Sequence, residues 1–422
     1  MHGMSPHKEN EDMRGTEPRE ARPSAHSVRQ ETLIVLVLAL GSGLVGIDRF
    51  LISTMFPVIA KDLGIGYGAI GTITGALALS WGLAALLMGN LSDRIGRRKV
   101  ICGALLLFSL LIGASGLAAG LYSLVVVRLF MGIADGAFTP VAISATIEAS
   151  PRQRQGRNVG IQQMTMTLFG LGLSPMFVSL MLHAVDWRWV FAIFIVPGLL
   201  LTVAAWRILP PDRKVQASSD GRSQLWSNWR TVMGYSNIRI IMGIMLCCLT
   251  VLVTISALFP SYLLDHLKLE FGAMSMVMSA IGFGASAGTV AMPWLSDRLG
   301  RRAVMLLCTA GTACAIVALN QTGPSVALLF AFVFIANFFN NGLMVMAIGP
   351  LCALSVPPTL IATASGLIIA AGEFFGGGFA ILIAGHFAEQ FGIAHLLLIP
   401  LGASILAVFL GLAFSERRFF RA

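Results

Sequence analysis

Residues 89–99 read Gly89-Asn90-Leu91-Ser92-Asp93-Arg94-Ile95-Gly96-Arg97-Arg98-Lys99. The core of this stretch returns 204 residues later as Ser296-Asp297-Arg298-Leu299-Gly300-Arg301-Arg302, with Leu299 in place of Ile95. Six identities in seven at such a distance point to an internal duplication. Each copy is a polar island between long apolar runs, and each follows the second run of its half. The repeat therefore predicts two related units whose loops fall at equivalent places.

Working outward from the two loops, twelve apolar runs can be counted, with cores near 32–60, 68–90, 100–119, 121–149, 157–182, 188–209, 240–264, 272–294, 303–320, 325–352, 361–385 and 391–414. A bilayer core about 30 Å thick needs roughly 20 apolar residues per helix, so each run can span it. Composition agrees. Of 422 residues, 56% are hydrophobic and 12% charged, with a mean hydropathy of +0.81. That charge content is about half the ~25% of an ordinary soluble domain. It excludes a disordered chain and a conventional soluble enzyme. The predicted fold is all-α and membrane-embedded, with twelve spans in two six-helix bundles. The bundles cover 32–209 and 240–414. A polar tail (1–31), a linker (210–239) and a C-terminal tail (415–422) complete the chain. Trp226 and Trp229 predict a short surface helix at the linker's end.

The net charge of +9 resides in the loops, which favours a membrane over nucleic acid as the partner. With the N-terminus inside, the inner loops and C-terminal tail carry 19 Lys and Arg, and the outer loops carry three: Lys61, Arg188 and Lys268. This bias predicts that both termini and the linker are cytoplasmic. Trp187, Trp189, Trp206 and Trp294 stand at span ends, where interfacial anchors are expected. The six cysteines show neither metal-ligand spacing nor a disulfide framework, and read as small apolar side chains. No Walker-type loop or catalytic triad is present, so no enzyme, cofactor or metal is implied.

The physical sense of the repeat is readable. Gly89 lets helices approach closely. Asp93, at a helix end, can accept hydrogen bonds or pair with a cation of a neighbouring helix. Gly96 allows a tight turn, and the cations fix the loop on the cytoplasmic face. The extended motif resembles the signature loop of the major facilitator superfamily, and the resemblance covers residues 32–414. It implies that Gly89, Asp93, Arg94, Gly96, Arg97 and Arg98, with Asp297, Arg298, Arg301 and Arg302, form a gate that latches the halves when the cytoplasmic side shuts. The same cations would also set the topology.

Ionisable residues inside spans cost ~2.5–3.5 kcal/mol each on insertion scales and by default mark function. Five stand out: Asp48 and Arg49 in the first span, Arg128 and Asp135 in the fourth, and Glu373 in the eleventh. At ~100° per residue, Arg128 and Asp135 share a helix face about 10 Å apart. Paired guanidiniums suit a carboxylate or phosphate. Three acids against two bases sum to −1, which leaves room for a proton. Internal salt bridges are the plainer reading, but five charges from three helices at similar depth exceed what helix pairing needs. Gln162, Tyr262, Asn337 and Asn341 are further candidate cavity residues, although a buried amide often only joins helices.

The Asp48-Arg49 pair, with Arg128 and an acid at 135, is similar to the anion:cation symporter family within that superfamily. The resemblance implies proton-coupled uptake of a small organic anion, such as a sugar acid, at a bacterial inner membrane. It assigns Arg49 to the anion and the acids Asp48 and Asp135 to protons. Glu373 is a third proton-coupling candidate, at a position where many members carry a neutral polar residue. The chain would work as a monomer. Proton-coupled multidrug efflux is the alternative. Its helix-five glycine-proline motif is only half present, since Pro175 is kept while Ser174 and Val178-Ser179 replace glycines. A transporter-like receptor that moves nothing is a further alternative.

Overall fold

The computed structural model describes residues 28–151, 153–211, 229–357 and 360–415, with positions 86, 87, 89–94 and 362 described by backbone alone. Among the described residues, 12 helices are long and apolar enough to cross a membrane, and no strand occurs. They are α1 (Val28–Leu63), α2 (Tyr67–Ile95), α3 (Arg97–Gly116), α4 (Leu121–Ala149), α5 (Gln155–Leu182), α6 (Trp187–Ile208), α7 (Ser236–His266), α8 (Phe271–Leu299), α9 (Arg301–Asn320), α10 (Val326–Ala353), α11 (Thr363–Phe391) and α12 (Ile393–Ala413). A helix satisfies its own backbone hydrogen bonds, as a lipid-embedded segment must.

Several helices open ahead of their apolar runs, α1 and α7 furthest. Helix α1 opens at Val28, inside the stretch expected to be a tail, and α7 opens at Ser236, inside the expected linker. The reason is chemical: a polar first turn continues the helix but is invisible to hydropathy. Glu31 shows this. It is buried, accepts from Arg154 at 2.5 Å and from Asn158 at 2.9 Å, and so ties α1 to α5. The rest of the tail, residues 212–228 of the linker with Trp226, and residues 416–422 lie outside the described residues, while 229–234 form a short helix. Trp187 is a second departure. It is fully buried and its indole donates to Asp62 at 3.2 Å, which fastens α6 to α1. Only Trp189, of this pair, faces outward.

The duplication is visible in the packing. In the first half, α4 lies against α2 through Gly132 and Gly136, where any side chain would overlap the Leu77 and Trp81 carbonyls. In the second half, Gly284 and Gly288 of α8 meet the Phe334 and Phe338 carbonyls of α10 in the same way. Small residues are what let two membrane helices approach this closely. Between the halves, α2 packs on α11 and α5 on α8. A Cβ at Gly71 would fall 2.7 Å from the Ile381 carbonyl, and Gly172 and Gly282 are in backbone contact. Tyr67 donates to Asp265 at 2.9 Å across the same seam. These contacts lie toward the end away from the two repeat loops, so the halves close there.

Candidate functional site

Helix α1 delivers two adjacent charges to two different neighbours. It crosses α5 at Gly46, which has no room for a side chain beneath the Met166 carbonyl, and Gly170 meets it from the other side. Two residues later come Asp48 and Arg49. Side chains of adjacent helical residues diverge by about 100°, so these two do not pair with each other. Asp48 turns to α4, where Arg128 donates to its carboxylate at 2.9 Å and to its carbonyl at 3.2 Å. Arg49 turns to α11 and donates to Glu373 at 2.7 Å.

Both pairs are buried. Asp48 and Arg128 are 0% exposed, and Arg49 and Glu373 keep 9% and 7%. The Arg128 pair is incomplete: its Nε and Nη2, and Oδ1 of Asp48, have no partner. A guanidinium brings five donors, and here most are free to receive an anion or water. Asp135 is also fully buried, and neither of its carboxyl oxygens has a partner. It lies within electrostatic range of Asp48, Arg49 and Arg128. The cluster therefore holds donor and acceptor capacity that the protein itself does not satisfy, a common property of ligand sites.

Aromatic rings wall the cluster. Arg49 lies 5.3 Å from the Trp81 ring centre and 5.9 Å from that of Phe50, and Arg128 lies 5.9 Å from Phe191. Such faces attract a cation and exclude water. The Trp81 indole nitrogen is itself buried and unpaired. Trp81 was missed in the sequence, although a signal existed: it stands within a span instead of at its edge. Glu373 belongs to a π-helical segment, Gly372–Phe379, an irregularity that often marks functional sites.

The other candidates are placed less centrally. Gln162 is buried and satisfied, accepting from Thr146 at 2.7 Å and donating to Ser42 at 3.1 Å, so it joins α4, α5 and α1. Asn337 donates to the Val333 carbonyl at 2.9 Å and leaves its own oxygen unpaired in the interior. Asn341 donates to the Asn337 carbonyl at 3.3 Å. Tyr262 stacks on Phe259 at 5.3 Å at the far end of α7. None of these four shows a hydrogen bond to the ion cluster among the described contacts.

A family model for the Major Facilitator Superfamily matches residues 38–372 and 240–420. The chain belongs to the major facilitator superfamily. A "Gentisate transporter" of Corynebacterium glutamicum is 23% identical over 78% of this chain and 75% of its own length. A "Probable 4-methylmuconolactone transporter" of Cupriavidus pinatubonensis is 24% identical over 84% of this chain and 83% of its own. Among solved structures, a bacterial homologue of the human lysosomal transporter Spinster, inward-facing and unoccupied, superposes with a TM-score of 0.77. It covers 94% of this chain and 100% of its own at 17% identity, which shows the shared fold. The protein is thus a multi-pass membrane transporter.

In this major facilitator chain the repeat loops are built alike. Gly96 and Gly300 adopt φ of 107° and 93°, which only glycine enters freely. Arg98 donates to the carbonyl of Trp206 at the end of α6, and Arg302 donates to the carbonyl of Leu412 near the end of α12 at 3.1 Å. The same arginine of each copy thus caps the sixth helix of its own half. Arg97 pairs with Glu148 at 2.6 Å, Arg301 with Asp297 at 3.3 Å, and Arg298 lies 3.9 Å from the Trp294 ring centre. Gly89, Asp93 and Arg94 are placed by backbone alone on the last turns of α2, so side-chain contacts at Asp93 and Arg94 lie outside the description.

Proposed function

We propose that this transporter takes up a small organic anion together with protons by alternating access. The observation that carries the reading is the buried cluster itself: two guanidiniums and three carboxyls at the junction of α1, α4 and α11, with hydrogen-bonding capacity left over. Arg49 binds the anion's carboxylate, and Arg128 is the second guanidinium of the site. Relatives named for gentisate and 4-methylmuconolactone support a small organic acid as cargo.

Charge balance argues for protons. The cluster sums to −1 before any substrate enters. A carboxylate brings another negative charge into a buried site, where unpaired charge costs several kcal/mol. Protons on the acids of the cluster, Asp135 and Asp48 among the candidates, offset it. A proton drives the cycle only if its affinity differs between the two states, and the Asp48–Arg128 pair offers a bond that can be kept in one state and lost in the other. The repeat loops, with Asp93 and Asp297, would latch the cytoplasmic side when it shuts. The loop charges support cytoplasmic termini in a bacterial inner membrane.

A thermal-shift screen of purified protein against small carboxylates across pH tests the reading. Stabilisation should be selective for anions and stronger at lower pH. Stabilisation by lipophilic cations instead would replace uptake of anions with efflux.

A further inference from the structure

We propose that Glu373 is a built-in rival of the substrate: in the empty transporter its carboxylate occupies Arg49, and the incoming anion displaces it as Glu373 takes up one proton. The proposal rests on the reading of Arg49 as the anion-binding residue.

Three observations lead to it. First, the Arg49–Glu373 bond is the short, buried contact of the cluster that crosses between the halves, from α1 to α11, at 2.7 Å. The Asp48–Arg128 pair stays within one half. Second, Glu373 stands where a ligand carboxylate would stand. It bonds Arg49 beside the Trp81 ring, and its Cβ comes within 3.9 Å of the Cβ position of Gly82 on α2. A carboxylate on a substrate offers that guanidinium the same oxygens. Third, Glu373 sits on an irregular turn of its helix. It lies in the π-helical segment Gly372–Phe379, followed by Gly376, Gly377 and Gly378. Gly372 and Gly376 rest directly on Met245, Leu246 and Leu249 of α7.

The charges fix the rest. Arg49 is the charge that Glu373 meets. On α2, Gly82 lies beside Glu373, Ala78 beside the neighbouring Gly377 and Trp81 beside Arg49, and the α7 residues against the Glu373 turn are apolar. The other charges of the cluster are Asp48 and Arg128, already paired, and Asp135. Once the substrate has taken Arg49, Glu373 has no cation left to bond, and a buried carboxylate in that position is costly. One proton on Glu373 restores the original charge at this position: an Arg–carboxylate pair before, an Arg–carboxylate pair and a neutral acid after. The exchange also breaks an ionic tie between the halves, so binding and release of the tie become one event. Asp135 binds and releases a separate proton, which the net transport cycle also requires.

Titration calorimetry with gentisate and galactonate as probes, each in two buffers of different ionisation enthalpy, counts protons taken up per anion bound. For the native protein the count should include about one proton from this exchange. Glu373→Gln removes the rival and mimics its protonated form. It should bind the probe at least ~10-fold tighter, take up one proton fewer, and lose the matching part of the pH dependence. Glu373→Asp, which keeps the acid, should retain the proton. Equal or weaker binding by the folded Gln variant, or native binding without proton uptake, would overturn the exchange. If Arg49→Ala binds the probes as the native protein does, or no protein binds either probe, the anion reading itself falls, and the exchange falls with it.

Discussion

Arg49 and Arg128 have the same chemistry but different company. Arg128 is held by a carboxylate and a carbonyl of one residue, so removing it would leave Asp48 buried without a partner. Arg49 touches one carboxylate, across the seam, under an indole ring. For Arg49→Lys we expect the charge to remain and the planar two-point recognition to be lost. Anion affinity should fall by ~1.5–3 kcal/mol, the range for hydrogen bonds to charged groups. Calorimetry showing unchanged affinity would move the anion to Arg128. That these five ionisable residues stand inside spans and need a partner or a purpose was legible in the sequence, because charge within an apolar span is costly. Their pairing was not. Asp48 and Arg49 are neighbours in sequence yet point apart, and the partner of Arg49 lies 324 residues away. Glu31 was misread for a related reason: its partner Arg154 is also remote, and nothing local shows that its burial is compensated.

The helices carry the next level of the account, through glycines. Gly46, Gly132, Gly136, Gly284 and Gly288 have no space for a side chain, and they set how close α1, α4 and α8 come to their neighbours. The number of spans and the duplication were legible, because length, hydropathy and the repeated loop are local properties. Gly96 was also read correctly as a turn residue, since its positive φ is what such a loop demands. The π-helical segments in α5, α7 and α11 were not legible, because they depend on which neighbour each turn packs against. Gly282 offers a test at this scale. Its backbone meets Gly172 across the seam between α8 and α5. Gly282→Val should strain that closure by ~1–3 kcal/mol, the usual cost of overpacking. The prediction is that an engineered cysteine at Ser179, on the same seam, gains reactivity toward a small maleimide in the variant. Equal reactivity in both backgrounds would mean that the seam tolerates a side chain there.

At the scale of the whole molecule, two six-helix halves close against each other at one end and meet at a buried charge cluster. The loop charges predict that this end faces outward. With the exposed Cys314 replaced, a cysteine at Glu270 should react with an impermeant reagent from outside intact cells, and one at Asp297 only after permeabilisation. The reverse pattern would invert the transporter in the membrane. The central claim is that buried acids of the cluster couple a proton to an anion. The most direct measurement compares native protein and Asp135→Asn in proteoliposomes, following anion accumulation under an imposed pH gradient alongside exchange without one. Asn stands in for the protonated acid, so the variant should still exchange anion across the membrane but should no longer concentrate it with the gradient. Full gradient-driven accumulation by Asp135→Asn would contradict the account.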